Sequence, residues 1–395
     1  MVMQHLHIVC LENPYPPNYG GAIDQHYKIL ALLSASFPVI LHIFYSPDKP
    51  PKPEAYASAK GIHFYPRRKN FWRILDAVPF MAQSRKSSQL LENLLQDEEP
   101  IFLEGLHTAG IIQAIRKQSP RRKIFLRLHN HEAAYYEELA QDERSPVKKF
   151  YYALEAKKLK RYEPAILPLP DALFAISRRE VYWAKRYNSE TYWLPAFFYE
   201  PNAILETSIQ QKNIEYQALS LERLEEITLL YPANFSIPTN QKAAIFLIQE
   251  ILPLLPSKCK LILAGKAIPE RWQKLRHPRL LCHNSPQDME AIWQKATVII
   301  LPGRQKTGVK LKFLESVLRH PRVLATQSVV EGSGLEPWAL TFEESNISHF
   351  REQLALLFAP EFLERSALVR TQLLELYEPN KRILEMLAII NRFSG

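Results

Sequence analysis

Short apolar runs alternate with longer amphipathic stretches along almost the whole chain. Runs bounded by polar or turn residues read as strands buried on both faces, and apolar positions at helical spacing between them read as helices packed on a sheet. In the first half the pattern predicts strands near Leu6–Leu11, Val39–Phe44, Ile101–Leu103, Ile124–Leu128, Ala172–Ile176 and Tyr192–Leu194. In the second half it predicts Thr228–Tyr231, Lys260–Ala264, Leu280–Cys282, Val298–Leu301 and Val323–Ala325. Strand and helix in regular alternation build a parallel sheet wrapped by helices. Two such sets predict an α/β protein of two doubly wound domains, with ligands at the carboxyl ends of the strands and a cleft between the domains.

The joint between the halves is visible as a loss of periodicity. Pro195 to Leu205 is aromatic and Pro-containing and reads as a connection, and the polar stretch Gln210 to Glu226 adds an irregular helix ahead of the second domain. The expected domains are residues 1–198 and 199–378. Ile383, Leu384, Met386, Leu387 and Ile390 mark a terminal helix, about 379–395, that covers one domain or packs back on the first.

Composition narrows the partners. A chain of 395 residues with 47% hydrophobic residues can build two ordinary cores. The net charge of +9 favours acidic partners: nucleotides, anionic lipid surfaces or nucleic acid. No nucleic-acid recognition motif accompanies that charge, so nucleic acid is the weakest of the three. The cysteines Cys10, Cys259 and Cys282 are odd in number, far apart and set in or beside apolar runs, which predicts buried reduced thiols. His5 to Leu11 already reads as a strand where a leader would have its apolar core, and no apolar run approaches the roughly 18 residues that cross a bilayer. The expected location is the cytoplasm.

The densest chemistry lies in Thr307-Gly308-Val309-Lys310-Leu311-Lys312-Phe313-Leu314-Glu315. Leu311, Leu314 and Leu318 recur at helical spacing, which predicts a helix from about Gly308, directly after the strand Val298–Leu301. Lys310 and Lys312 then fall in its first turn, with Lys306 just before it. A helix N-terminus already carries about half a positive charge, so cations belong there only when an anion occupies the site. A phosphate satisfies the backbone N–H groups, the dipole and the ammonium groups together. Glu315, three residues after Lys312, can accept hydrogen bonds from a ribose. The plainer alternative is a solvated basic helix start. The spacing favours a nucleotide-diphosphate site.

Other loops follow strands. Pro14-Tyr15-Pro16-Pro17-Asn18-Tyr19-Gly20-Gly21 follows the first strand, and its paired glycines allow close backbone approach to a ligand just before a helix. His129-Asn130-His131-Glu132 follows Ile124–Leu128. It lacks the zinc-protease spacing because Tyr135 stands where the second histidine would be, so His129 reads as a hydrogen-bonding cleft residue and no metal is expected. Glu104-Gly105-Leu106-His107 ends the strand Ile101–Leu103 and can face an acceptor. Asn234 lies in the loop after Thr228–Tyr231, with Asn240 read as a helix cap for Gln241 onward. Glu331-Gly332-Ser333-Gly334 follows the last predicted strand and can cover a phosphate. There is no Asp-x-Asp clamp and no Walker loop, Pro337 breaks the dinucleotide fingerprint, and no Gly-x-Ser-x-Gly elbow occurs.

Taken in order, the Pro-Tyr-Pro-Pro-Asn-Tyr-Gly-Gly loop, the Leu-His-Asn-His-Glu turn, the Ala-Asn-Phe-Ser loop and the Gly-Val-Lys-Leu-Lys-Phe-Leu-Glu helix resemble the family-4 (group 1) glycosyltransferases of the GT-B fold. The resemblance spans nearly the whole chain. It implies two Rossmann-like domains facing each other across a cleft and a UDP- or GDP-linked sugar donor held mainly by the C-terminal domain. It also implies a glycan or lipid-linked acceptor on the N-terminal domain, and retaining transfer with neither cofactor nor obligatory metal. By the same resemblance Gly20 and Gly21 offer N–H groups to the diphosphate, and His129 contacts the donor sugar or steadies the reacting centre. Lys310 and Lys312 are the phosphate-side bases, Glu315 binds ribose, and Asn234, Thr307, Gly308, Glu331 and His107 line the substrate sites. Cell-surface polysaccharide or lipopolysaccharide synthesis is the implied setting.

Three positions depart from the family. Thr307 stands where a second glutamate is common, Ala233 where a glycine opens the loop, and Asn234 and Asn240 where Arg and Lys often bind phosphate. Lys306, Lys310 and Lys312 are the candidates to supply the missing charge. An inert nucleotide-sugar-binding or scaffold protein is the alternative, and a nucleotide-sugar epimerase a third reading. Finally, Lys148 to Tyr162 is basic, aromatic and partly amphipathic. It reads either as a solvated helix face or as a surface for anionic lipid at the inner face of the membrane.

Overall fold

The apolar runs become two all-parallel sheets. A computed structural model describes residues 3–46, 51–68, 71–143, 145–200, 227–275, 277–305 and 307–394. The expected helix over 210–226, and Lys306, lie outside the described residues. The chain divides into one unit of Met1–Ala203 with Tyr377–Gly395, and a second of Ile204–Leu376.

The first unit carries β1 (Leu6–Cys10), β2 (Val39–Tyr45), β3 (Gly61–Pro66), β4 (Ile101–Glu104), β5 (Ile124–Leu128), β6 (Ala172–Ala175) and β7 (Thr191–Trp193), in the order β3-β2-β1-β4-β5-β6-β7. The second carries β8 (Thr228–Pro232), β9 (Lys260–Gly265), β10 (Leu280–Asn284), β11 (Val298–Leu301), β12 (Val323–Thr326) and β13 (Leu340–Phe342), in the order β10-β9-β8-β11-β12-β13. Every strand pair is parallel, and the winding reverses between β1 and β4 and between β8 and β11. Those reversals are where doubly wound sheets open a crevice for ligands. The central strands are buried along their length, as their unbroken apolar sequences require.

Six helices matter below: α1 (Gly20–Ser34), α2 (Glu132–Asp142), α3 (Pro146–Ile166), α4 (Pro238–Phe246), α5 (Leu311–Arg319) and α6 (Pro379–Ser394). Helix α6 packs on α1 and buries Ile383, Met386, Leu387 and Ile390 in the core formed by Leu6, Ile8, Phe125 and Phe174. Each such side chain contributes about 1.5–3 kcal/mol on burial.

Several local expectations are corrected. β3 and β13 are additional strands: both are edges, and their polar-interrupted or three-residue sequences give little apolar signal. The helix after β11 starts at Leu311 and not near Gly308, because Gly308 sits at φ 63° and Lys310 is the extended N-cap. Asn240 lies inside α4, not at its cap, since Pro238 opens the helix one turn earlier. Gly20 and Gly21 are themselves the first residues of α1, behind the N-cap Tyr19. Cys10 and Cys259 are buried thiols, while Cys282 is only half-buried.

Candidate functional site

In the second unit, β8, β9 and β11 aim their carboxyl ends at one group of loops. Gly265 closes β9 at φ 139°, and a side chain there would meet the Ala233 carbonyl at 1.9 Å, so this glycine is what lets the Ala233–Asn234 loop lie against the sheet. The loop is tied down by Phe235 N–H donating to the Lys266 carbonyl at 2.8 Å. Asn234 uses its side-chain oxygen locally, accepting from Ser236 N at 3.0 Å and from the Ser236 hydroxyl at 2.8 Å. Its carbonyl accepts from Asn240 Nδ2 at 2.9 Å.

Lys312 reaches this loop from α5. Its Nζ donates to Asn240 Oδ1 at 3.1 Å and to the Tyr231 hydroxyl at 3.2 Å, and stands 5.0 Å from the Tyr231 ring centre. Burial, then the neighbouring Lys310, pulls its pKa down to about 7. The Lys310 ammonium donates to the Thr307 carbonyl. Thr307 is buried, and Gly308 makes the left-handed turn that leads into α5. Glu315 is half-exposed one turn along and pairs with Arg319 at 3.0 Å. Glu331 follows β12 through a short helix, Gln327–Val330, and its strand is not the last in the sheet. The next N–H, Gly332, is taken by Glu336 Oε1 at 2.6 Å.

In the first unit, Gln25 joins the end of β1 to α1: its oxygen accepts from Leu11 N at 3.0 Å and its amide donates to the Gly21 carbonyl at 2.8 Å. Asp24, beside Gln25, and Lys28, one turn further, project into a buried ionic cluster. Lys28 lies 2.7 Å from Glu104 and 3.4 Å from Asp24, and Arg127 lies 3.0 Å from Asp24. Arg127 also donates to the carbonyls of Leu194 and Pro195, and Asp24 accepts from Phe197 N at 2.9 Å. His129 completes the group. Burial opposes its charged form, but Asp24 and Glu104 outweigh that and raise its pKa.

His107 and His129 flank Gly105, their Nδ1 atoms 3.1 and 3.5 Å from where a Cβ would be. A side chain at Gly105, which also sits at φ 75°, would push both rings away. Burial, then Arg85, holds His107 neutral, well below the usual histidine range. The rest of the histidine turn is structural: His131 stacks on Trp183 at 4.2 Å and pairs with Glu163 at 3.2 Å. Glu132 is pushed up to about 7, chiefly by burial.

The predicted residues thus fall into two groups: Gly20, Gly21, His107 and His129 in the first unit, and Asn234, Thr307, Gly308, Lys310, Lys312, Glu315 and Glu331 in the second. Sequence reasoning missed Asp24, Lys28, Arg127 and Tyr231. A signal existed for Arg127, a charge near the end of an apolar strand. Two donor groups among the described residues are tight enough to suggest a metal: Asp24, Glu104 and His129, and separately His5, His7 and Asp97. In the first, Lys28 and Arg127 already neutralise the carboxylates. In the second, Arg122 sits on Asp97 and Lys60 on His5, at the opposite end of β1 from the ligand side.

Residues 226–357 match the model of the family "Glycosyl transferases group 1". That match falls within the second unit, and the chain has the GT-B fold. A 44.6 kDa protein in the cps region of Klebsiella pneumoniae is 25% identical over 351 residues, covering 84% of this chain and 85% of that protein. Among solved structures, trehalose-6-phosphate from E. coli bound with UDP-2-fluoro glucose superposes with a TM-score of 0.62 at 14% identity, over 98% of both chains. Anabaena HepE in complex with UDP and glucose gives 0.61 at 11%, over 98% of this chain and 99% of that one. At such identities the two structures speak for the fold.

Proposed function

We propose that this protein transfers a sugar from a nucleotide-diphosphate sugar to a glycan or lipid-linked acceptor, with retention and without a metal. The observation that carries the reading is Lys312. Where the family commonly places Arg and Lys in the loop after β8, this chain has Asn234 and Asn240, yet the Lys312 ammonium reaches that loop from α5. The cation is relocated, not lost. As the glycosidic bond breaks, the leaving diphosphate gains negative charge. Lys312, Lys310 and the first-turn N–H groups of α5 stabilise that charge more in the transition state than in the ground state. Glu315 stands one turn along for the ribose. UDP is the first donor nucleotide to test, since HepE and the E. coli structure hold UDP or a UDP-sugar. The cps-region relative favours surface polysaccharide synthesis as the setting. The exposed Lys148 and Lys149 on α3 favour peripheral contact with an anionic membrane.

The test is a thermal-shift screen of UDP, GDP and their sugars, followed by donor hydrolysis or transfer with each nucleotide sugar that binds. A ligand selective for the folded state raises the melting temperature. Binding with turnover supports the transferase. Binding without turnover on any donor supports the inert binder, and no shift with any nucleotide overturns both.

A further inference from the structure

His129 Nε2 lies 3.2 Å from Asp24 Oδ2 and 3.3 Å from Glu104 Oε2. Both carboxylates are sealed from water. Burial works against their ionisation, but Arg127 and Lys28 hold Asp24 well below the usual carboxylate range, and Lys28 and His129 lower Glu104. Two ionised oxygens converging on one ring nitrogen require that nitrogen to carry a hydrogen. Neither contact has hydrogen-bond geometry, so the pair acts as a shared electrostatic clamp. The other nitrogen, Nδ1, makes no hydrogen bond among the described residues and lies at the Gly105 turn, on the ligand side of the sheet.

Asp24 and Glu104 cancel Lys28 and Arg127, so the cluster is neutral without His129 and carries one positive charge with it. The other titratable groups around it cancel that charge only in part. His107, on the turn after β4, is held neutral, and Cys10 on β1 is kept a thiol by burial and then by Glu104. Glu132, at the start of α2, is pushed up to about 7, chiefly by burial, so at pH 7 it offsets about half of that charge. A buried uncompensated charge is costly, and an electron-rich ligand relieves it.

We propose that Asp24 and Glu104 are positioning residues that keep His129 an imidazolium, so that its Nδ1–H serves as a charged hydrogen-bond donor to a sugar or phosphate oxygen and the ring does not act as a general base. The ligand class rests on the sugar-transfer reading above; the protonation state does not. That separates the two failures.

Nitrogen-15 NMR of the histidine rings in the full-length protein, titrated from pH 5.5 to 8.5 without donor, tests the protonation directly. The expected result is that His129 has both nitrogens protonated at pH 7, with a midpoint above that of an unstructured histidine. Glu104→Gln lowers that midpoint. In turnover at saturating concentrations of the donor found by the thermal-shift screen, where bound diphosphate keeps Lys312 charged, wild type is flat across neutral pH. Glu104→Gln loses at least tenfold at pH 8 and recovers on acidification, whereas a purely structural defect lowers the rate equally at every pH. A His129 ring carrying a single proton at pH 7 in the wild type overturns the proposal. So does a Glu104→Gln variant that folds and keeps the wild-type pH profile. If that variant does not fold, the wild-type titration alone decides.

Discussion

Lys312→Met is the perturbation that most directly tests the donor site. In the ligand-free protein the Lys312 ammonium is held to a pKa of about 7 by burial and by Lys310. Roughly half the molecules therefore carry it charged at pH 7. A diphosphate beside Nζ reverses the balance: a unit charge pair at 4 Å is worth about 4 kcal/mol at an effective dielectric of 20, and a charged hydrogen bond about 1.5–3 kcal/mol net. Each unit by which the pKa rises corresponds to about 1.4 kcal/mol. Binding must then take up about half a proton at pH 7 and weaken roughly tenfold per pH unit above it, because the linkage of proton and anion is reciprocal. Titration calorimetry of UDP in buffers of different ionisation enthalpy measures the uptake. Lys312→Met keeps the aliphatic stem and removes a charge that burial disfavours, so the fold is retained. The variant should bind UDP about 10–100-fold more weakly at pH 7, with no proton uptake and a flat pH dependence above 7. UDP binding by wild type without proton uptake, together with unchanged affinity in the variant, refutes the reasoning.

Two further outcomes can be checked independently. His7 donates toward Asp97 at 3.1 Å and meets His42 at 2.9 Å, and burial lowers its pKa to about 4. The unfolded chain therefore takes up a proton between about pH 6.5 and 4 that the native state does not, and stability is lost as pH falls through that window, by about 3 kcal/mol when complete. Urea denaturation at pH 7.5 and 5 should show a smaller difference for His7→Gln than for wild type; equal differences remove His7 from the account. On α3, Val147 is 79% and Phe150 69% exposed beside Lys148 and Lys149. The nearby Trp72 segment, 85% exposed at that side chain, is tied to the same helix by Lys158 donating to the Ile74 carbonyl. Sedimentation with phosphatidylserine vesicles at low salt should be lost roughly 30-fold in Lys148→Ser/Lys149→Ser, at about 1 kcal/mol per lysine. Absence of wild-type binding at low salt ends the membrane reading.

The sequence announced the interior strands because their burial on both faces demands unbroken apolar runs such as Val298–Leu301. It hid two of the four edges, β3 and β13, where one side has no neighbour and the apolar demand relaxes, while the edges β7 and β10 were predicted. Helix starts were legible only to within a turn. Pro238 and Gly308 decide them through backbone dihedrals, and side-chain periodicity cannot see that. Lys310, Lys312 and Glu315 stood out because they share one short motif. The clamp on His129 did not, because Asp24, Glu104 and Arg127 come from α1, β4 and β5 and meet only when the sheet is wound.

Helix α6 has a consequence for how the polypeptide is made. Its Ile383 and Ile390 belong to the same interior as Leu6 and Ile8, so stretches made before and after the second unit complete one hydrophobic layer. At about 5–20 residues per second, the intervening second unit takes on the order of 10–35 seconds to synthesise. Throughout that interval the N-terminal sheet waits with one apolar flank unsealed, exposed to chaperones and to other nascent copies, while the domain born second can already finish its own folding.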